Sequence, residues 1–478
     1  SNIKIAIIGG GLAGLSSAYE LRKLGCEIDI YEANPNRIGG RVNTYYFGEN
    51  LYGELGAMRV PVSHETTWHY INLFKLTTVP FIYQTENNIL YVDKVRIRGV
   101  DNDLDVMKYI YPYYDLNYWE KNTPLSKLIE YVYNYVLLQM SRAQRMELSV
   151  VRKDYSDTTN FYDALNFYQA AKVLGLTEGA ISLLTNIIGI DRGFFYNSYL
   201  ELIREMYLAN FTYLYRIENG LVNLPLAFYN ALRNINNYGK VTFYLGNRVK
   251  GIYYDYLNKK VILKHNNNYS DYDFVICAVP FSQLRSIDIN PAFSTQKMKA
   301  IMQVNYENAQ KTLLLCNERF WERTINDRRI IGGSSFTDLV IGSIYYPSDR
   351  LSNYGVITAS YNVGLDATRL GGISDDERFE IIKRELEYVH GLPMYYLDNV
   401  VIDYKTRNWA CYEYTVGAFS WYTPGQNRLF SYSAYIPEYN NQVFFAGEHI
   451  SPFHAWMQGA LQSGMVAANN VAYELKKL

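Results

Sequence analysis

Apolar residues follow two rhythms along this chain. Residues 3–8 (Ile-Lys-Ile-Ala-Ile-Ile) form a short, nearly continuous run rich in β-branched side chains, the pattern of a strand covered on both faces. Residues 12–24 space their apolar positions as a helix does. Residues 28–31 return to a strand that closes on Glu32. The opening unit is therefore expected to be strand, turn, helix, strand. Residues 62–100 mix helix and short strands, and 105–210 are dominated by helical spacing. One helix is expected to take Thr123 as its N-cap and Pro124 as its first residue. Its apolar stripe is Leu125, Leu128, Ile129, Val132, Val136 and Met140. Further helices are expected near 160–173, 177–190 and 197–210. Strand patterns resume at 241–244, 247–252, 261–263 and 274–280, with Asn266-Asn267-Asn268 as a hairpin turn. Strands and helices alternate from about 285 to 435. The final stretch, residues 443–449 (Val-Phe-Phe-Ala-Gly-Glu-His), is followed by a helix from about Ala460.

Composition narrows the class. A chain of 478 residues predicts two or three domains. With 49% hydrophobic and 19% charged residues it has the balance of a soluble enzyme with a large core. A net charge of −1 argues against nucleic acid or an anionic membrane as the main partner. No apolar run reaches 18 residues and no charged-then-apolar leader precedes the first strand, so the expectation is a cytoplasmic protein without a membrane span. A removed leader stays open. Cys26, Cys277, Cys316 and Cys411 form no C-x-x-C pair and are expected to be free thiols. The six histidines are scattered, so no metal site is expected. Most of the 48 tyrosines are expected to pack with one polar end rather than to form sites.

The chemistry begins between the first strand and the first helix. Gly9-Gly10-Gly11-Leu12-Ala13-Gly14 reads G-x-G-x-x-G, and Glu32 follows about 20 residues on, the spacing of a dinucleotide fingerprint. Gly9 allows the turn, Gly11 lets the backbone approach a pyrophosphate, and Gly14 lets helix and strand pack. The helix start offers N–H groups and a positive dipole end to phosphates, and Glu32 offers acceptors to ribose hydroxyls. A second glycine turn, Arg37-Ile38-Gly39-Gly40-Arg41, carries two guanidinium groups.

Together with Phe445-Ala446-Gly447-Glu448 near the other end, these motifs resemble the flavin-dependent amine oxidase family over most of the chain, least so at about 100–200. The resemblance implies an α/β fold. A Rossmann-type, glutathione-reductase-like FAD-binding domain would comprise 1–60, 216–285 and 438–478. A mixed-sheet substrate domain would take 61–104 and 286–437, and a helical insertion 105–215. It also implies FAD, held by both ends of the chain. Gly9, Gly11, Ala13, Gly14, Glu32 and Ala33 would serve the dinucleotide, with Gly40 and Arg41 near the phosphates. Val249 would meet the adenine, and Gly447 and Glu448 the ribityl–pyrophosphate region. Gly56, Ala57, Met58 and Arg59 would pass the flavin ring, and Trp409 and Trp456 complete the set.

Within the family, Glu54-Leu55-Gly56-Ala57-Met58-Arg59-Val60-Pro61 resembles the L-amino-acid oxidase branch, where the arginine binds the substrate carboxylate. A guanidinium fork suits that task. The competing reading pairs Arg59 with an internal acid such as Glu54. Segments 336–339, 344–347 and 361–367 resemble the same branch, with Tyr361 as a second carboxylate donor. Lys311, opening an apolar run, matches a lysine that holds water beside flavin N5. Phe419 and Trp456 match aromatic walls of the substrate slot. Ala418 stands where mitochondrial monoamine oxidases carry the cysteine linked to flavin, so FAD is expected to be non-covalent. The function implied is oxidative deamination of an L-amino acid, large and apolar or aromatic, to a 2-oxo acid, ammonia and peroxide. Hydride would pass from Cα to N5 with oxygen as acceptor, and no acidic or histidine base is evident. Three alternatives stay open: tryptophan-2-monooxygenase-like decarboxylation, an amine or polyamine oxidase, and a Rab-escort-type binding protein. Assembly as a homodimer is also left open.

Overall fold

The apolar run at the start becomes the centre of a parallel sheet. In this computed structural model, which describes residues 3–99, 101–234, 238–323 and 328–477, the strand Lys4–Ile8 lies between Glu27–Glu32 and Phe274–Cys277. Val241–Leu245 and Val443–Phe445 occupy the two edges, and all five strands are parallel. Ile5 and Ile7 face Ile28 and Ile30 on one neighbour and Phe274 and Ile276 on the other, all fully or almost fully buried. Burial on both faces explains why this strand lacks polar alternation. Residues from the beginning, middle and end of the chain thus share one sheet.

The first helix, Leu12–Leu21, runs on into a 3-10 turn at Arg22–Leu24, and Gly25 ends it in the left-handed conformation (φ +74°). It packs against the final helix, Met457–Leu475, which starts three residues before the expected Ala460. Small residues permit the approach: a Cβ on Gly464 would sit 2.4 Å from the Ala13 carbonyl oxygen, and Ser17 donates across to Gly464 at 3.0 Å.

A second sheet runs Asn268–Tyr272, Lys260–His265, Val249–Asp255 and Asp288–Asn290. His265 pairs with Asn268, so Asn266 and Asn267 form the expected hairpin turn, with Asn266 at φ +49°. The largest sheet has seven strands in the order Val401–Asn408, Ala309–Cys316, Gly355–Val363, Ser343–Tyr345, Ser334–Thr337, Ile89–Val92 and Val95–Arg98. It is mixed: only the Ser334–Thr337 and Ile89–Val92 pair is parallel.

Between Asp103 and Tyr207 the described elements are all helical. The stripe Leu125, Leu128, Val132, Val136 and Met140 is buried there, with Ile129 partly so. One expectation shifts: the helix spans Leu125–Gln139 and Pro124, not Thr123, takes the cap position. Thr123 Oγ1 instead donates back to the Trp119 carbonyl at 2.6 Å, and proline at the cap has no N–H to orphan. The expected 160–173 helix is two helices, Asp157–Asp163 and Phe167–Val173, because Asn166 caps the second with a capping box to Gln169. Cys277 and Cys316 are buried free thiols, Cys26 is buried, and Cys411 is exposed. Among the described residues no helix is long and apolar enough to cross a membrane.

Candidate active site

One continuous cavity runs from the glycine turn to Trp456, lined by residues from both ends and the middle of the chain. At its first end the three glycines separate by cause. Gly9 has φ +107°, and a Cβ would meet the Ala278 carbonyl oxygen at 2.9 Å. A Cβ on Gly14 would lie 2.0 Å from the Gly9 carbonyl oxygen. Both positions are forced by the protein itself. Gly11 is not: its φ of −80° suits any residue, and a Cβ would meet nothing nearer than Gly40 Cα at 4.0 Å. Neither packing nor conformation demands glycine there, whereas close approach of a ligand backbone does. The helix behind it starts without a side-chain cap, so its first N–H groups remain free to bind phosphate. This cradle fits a dinucleotide.

Glu32 turns back into the cradle, accepting from the backbone N–H of Gly10 (2.9 Å) and Asn34 (2.8 Å). Burial raises its pKa, opposed by those two N–H groups. Ala13, Ala33 and Val249 line the same end. The second glycine turn docks on the first through Gly39 N–H to the Gly10 carbonyl (2.9 Å), which brings Gly40 and Arg41 to the cavity. Arg41 does not wait free for phosphates. Its Nη1 pairs with Glu448 Oε1 at 2.7 Å and donates to the Ala418 carbonyl at 3.1 Å. Glu448 also accepts from Ser420 N–H and Ala455 N–H, each at 2.9 Å, so one buried carboxylate clasps three segments. Gly447, at φ +145°, sets up this turn.

The far end holds the residues 56–59. Gly56 is forced by the Arg41 carbonyl, which a Cβ would approach to 1.8 Å, and Trp409 packs on it while donating to the Leu55 carbonyl at 2.9 Å. Ala57 and Met58 line the wall. Lys311 is buried, not snorkelled. Its Nζ donates to the carbonyls of Gly56 (2.7 Å) and Glu54 (3.3 Å), touches Met58 Sδ at 3.2 Å and lies 4.5 Å over the Tyr361 ring. Burial pulls its pKa down to about 7, with Glu54 opposing and Arg59 adding to the fall.

Arg59 is 8% exposed and has no ion pair among the described residues. Five rings surround its guanidinium at 5.1–5.9 Å: Phe81, Tyr83, Phe211, Tyr345 and Trp456. Its one hydrogen bond is a long contact to Tyr345 Oη at 3.5 Å. Glu54, the internal acid that could have paired with it, is engaged elsewhere, accepting from Thr44 Oγ1 (2.8 Å) and Leu221 N–H (2.8 Å). Tyr361 sits within the field of Arg59, and burial pushes its hydroxyl pKa up, which keeps it a donor. Phe419 stands at 6.1 Å from Phe194 and 6.0 Å from Trp421.

The chain matches the family model "Flavin containing amine oxidoreductase" over residues 12–472. It belongs to that family. An L-amino-acid oxidase of Sistrurus catenatus edwardsii is 28% identical over 98% of this chain and 86% of its own length, and YobN of Bacillus subtilis (strain 168) is 30% identical over 99% and 95%. Among solved structures, putrescine oxidase bound to putrescine superposes with a TM-score of 0.77 at 16% identity, covering 99% of both chains. Cyclohexylamine oxidase from Brevibacterium oxydans IH-35A gives 0.77 at 16%, covering 100% of both. The chain is thus a flavin amine oxidoreductase acting on CH–NH2, with the α/β fold of its relatives.

For a flavin amine oxidoreductase the far end holds two unexpected residues. Asp191, in the 3-10 turn Gly189–Phe194, and Glu205, in the helix Tyr199–Tyr207, both line the cavity. Burial raises Asp191 to about 6, opposed by Arg59, and Glu205 to about 8, opposed by Trp456 and Asn210. Single acids inside helical stretches carry no local motif, so only the packing of the chain reveals them.

Proposed function

We propose that this flavin amine oxidoreductase binds FAD non-covalently and oxidises an L-amino acid, with water and oxygen, to the 2-oxo acid, ammonia and hydrogen peroxide. The observation that carries the reading is Arg59: a buried guanidinium at the far end of the cavity, caged by rings and without an ion pair among the described residues. A buried cation without a partner is costly, and a substrate carboxylate offsets that cost through two parallel N–H···O bonds. An oxidase of simple amines has no use for that charge. In support of non-covalent binding, the cavity lining among the described residues includes neither cysteine nor histidine, and Ala418 stands at the wall.

Bound there, FAD supplies the two-electron acceptor for the Cα–H bond and a route for those electrons to oxygen. The residues do the rest. Arg59 and the Tyr361 hydroxyl hold the carboxylate and so fix which Cα hydrogen faces the flavin. Phe419 and Trp456 flank the substrate and exclude water. Lys311, near half-protonated at neutral pH, donates two N–H bonds to backbone carbonyls and keeps a lone pair that can take the proton the α-ammonium must lose or hold a water in place. The test is a visible spectrum of the purified protein, followed by anaerobic bleaching with the twenty L-amino acids and product analysis. Flavin bleached by an amino acid with 2-oxo acid released supports the reading; bleaching by amines alone, or an amide product, overturns it.

A further inference from the structure

We propose that the substrate carries a second cation at the end of its side chain, an ammonium or guanidinium, and that Asp191 and Glu205 receive it. This rests on the amino-acid reading above and names the substrate class for the same site. Phe419 and Trp456 line the cavity, yet they do not close it with an apolar surface. At the edge of the Trp456 indole, Nε1–H donates to both Glu205 oxygens at 3.0 and 3.1 Å, and Asn210 Nδ2 donates to Oε1 at 2.8 Å. These donors are neutral. Asp191, near the Tyr133 hydroxyl, has no ion pair among the described residues, and neither has Glu205.

Cations stand next to both acids in the chain and are turned elsewhere. Arg192 Nε pairs with Asp366 at 2.8 Å, and its Nη atoms go to the carbonyls of Thr337 and Leu339. Arg204 donates to the Leu148 carbonyl, Asn427 and Glu201. Among the described residues neither carboxylate has an ion pair, although both line the substrate cavity; Arg59, the cation whose charge reaches Asp191, is taken by the α-carboxylate when substrate is bound. An apolar side chain entering the slot would dry these acids further and leave them unpaired, which is expensive. A side-chain cation converts the same groups into charge-assisted hydrogen bonds. The α-amine is not the cation in question, because it must be neutral to react. Burial, with Glu201 and then Asp191 adding to it, raises the pKa of Glu205 to about 8, so in the empty site Glu205 favours a proton that a bound cation displaces.

The experiment measures peroxide-coupled kcat/KM of the holoenzyme on L-lysine, L-ornithine and L-arginine against L-leucine, L-methionine and L-phenylalanine, for wild type, Asp191→Asn and Glu205→Gln. The expected result is a preference of about 100-fold or more for at least one basic amino acid over the best neutral one. Each isosteric variant should lower kcat/KM on that substrate by about 30-fold or more without lowering it on the best neutral substrate. A wild type that prefers neutral amino acids overturns the proposal, as does an equal loss on both classes, which would place the acids at the α-amine. If only amines are oxidised, the carboxylate reading falls alone. The distal-cation claim is then decided on 1,5-diaminopentane against pentylamine by the same criteria.

Discussion

Replacing Arg59 with methionine removes the charge while filling its cage, since a flexible thioether packs well against the five surrounding rings. Arg59 has no ion pair among the described residues, so folding loses no salt bridge seen there. What the variant loses is the carboxylate partner in the occupied site. A desolvated, hydrogen-bonded charge pair contributes about 2–4 kcal/mol beyond what a neutral contact gives. At about 1.4 kcal/mol per tenfold, kcat/KM for the best L-amino acid should fall roughly 30- to 700-fold. The decisive control is the decarboxylated amine of the same side chain, for which kcat/KM should stay within about threefold of wild type. Arg59→Lys should fall between, because an ammonium keeps the charge and loses the planar fork. Initial rates of peroxide formation on both substrates suffice. Equal losses on amino acid and amine, or no loss on the amino acid, would refute the carboxylate role.

Lys311→Met should slow oxygen-dependent recovery of the bleached flavin more than the bleaching itself in stopped-flow traces; unchanged recovery removes the lysine from that step. Gly11→Ala should weaken flavin retention on a desalting column while leaving the apoprotein melting temperature nearly unchanged, whereas Gly14→Ala, whose Cβ would strike the Gly9 carbonyl at 2.0 Å, should lower it. Glu205 is raised to about 8 from an ordinary 4.5, so the fold favours its protonated form, and that contribution is lost as pH rises from about 4.5 through 8. The melting temperature of Glu205→Gln relative to wild type should therefore be more favourable at about pH 8.5 than at about pH 5, and a constant difference counts against a buried acid. Acid precipitation should release all the yellow colour; colour left on the pellet means a covalent bond.

What could be read from the sequence was local. The glycine fingerprint is legible because Gly9, Gly11 and Gly14 act within six residues of one another, on one turn. Arg59 is legible through its flanking segment. The hairpin at Asn266 follows from turn chemistry alone. Thr123 failed as a cap because its hydroxyl had a nearer carbonyl, Trp119, within the preceding turn. Asp191 and Glu205 were out of reach for a different reason. The helix Tyr199–Tyr207 is buried at seven of its nine positions, Tyr199 to Glu205, so periodicity does not tell which side faces a cavity. The Glu448 clasp was half legible: its turn is a recognisable motif, but its partners Arg41, Ser420 and Ala455 come from three separate segments.

The sheet that joins both chain ends also sets an order of events during synthesis. The glycine cradle leaves the ribosome long before the edge strand Val443–Phe445, the Glu448 clasp and the Trp456 wall. Until they emerge, the cradle faces solvent on its open side and Arg41 has no counter-ion. Enclosure of the cofactor thus waits for the segment from Val443 to Trp456: a product truncated before Val443 carries the fingerprint but cannot enclose what the fingerprint binds.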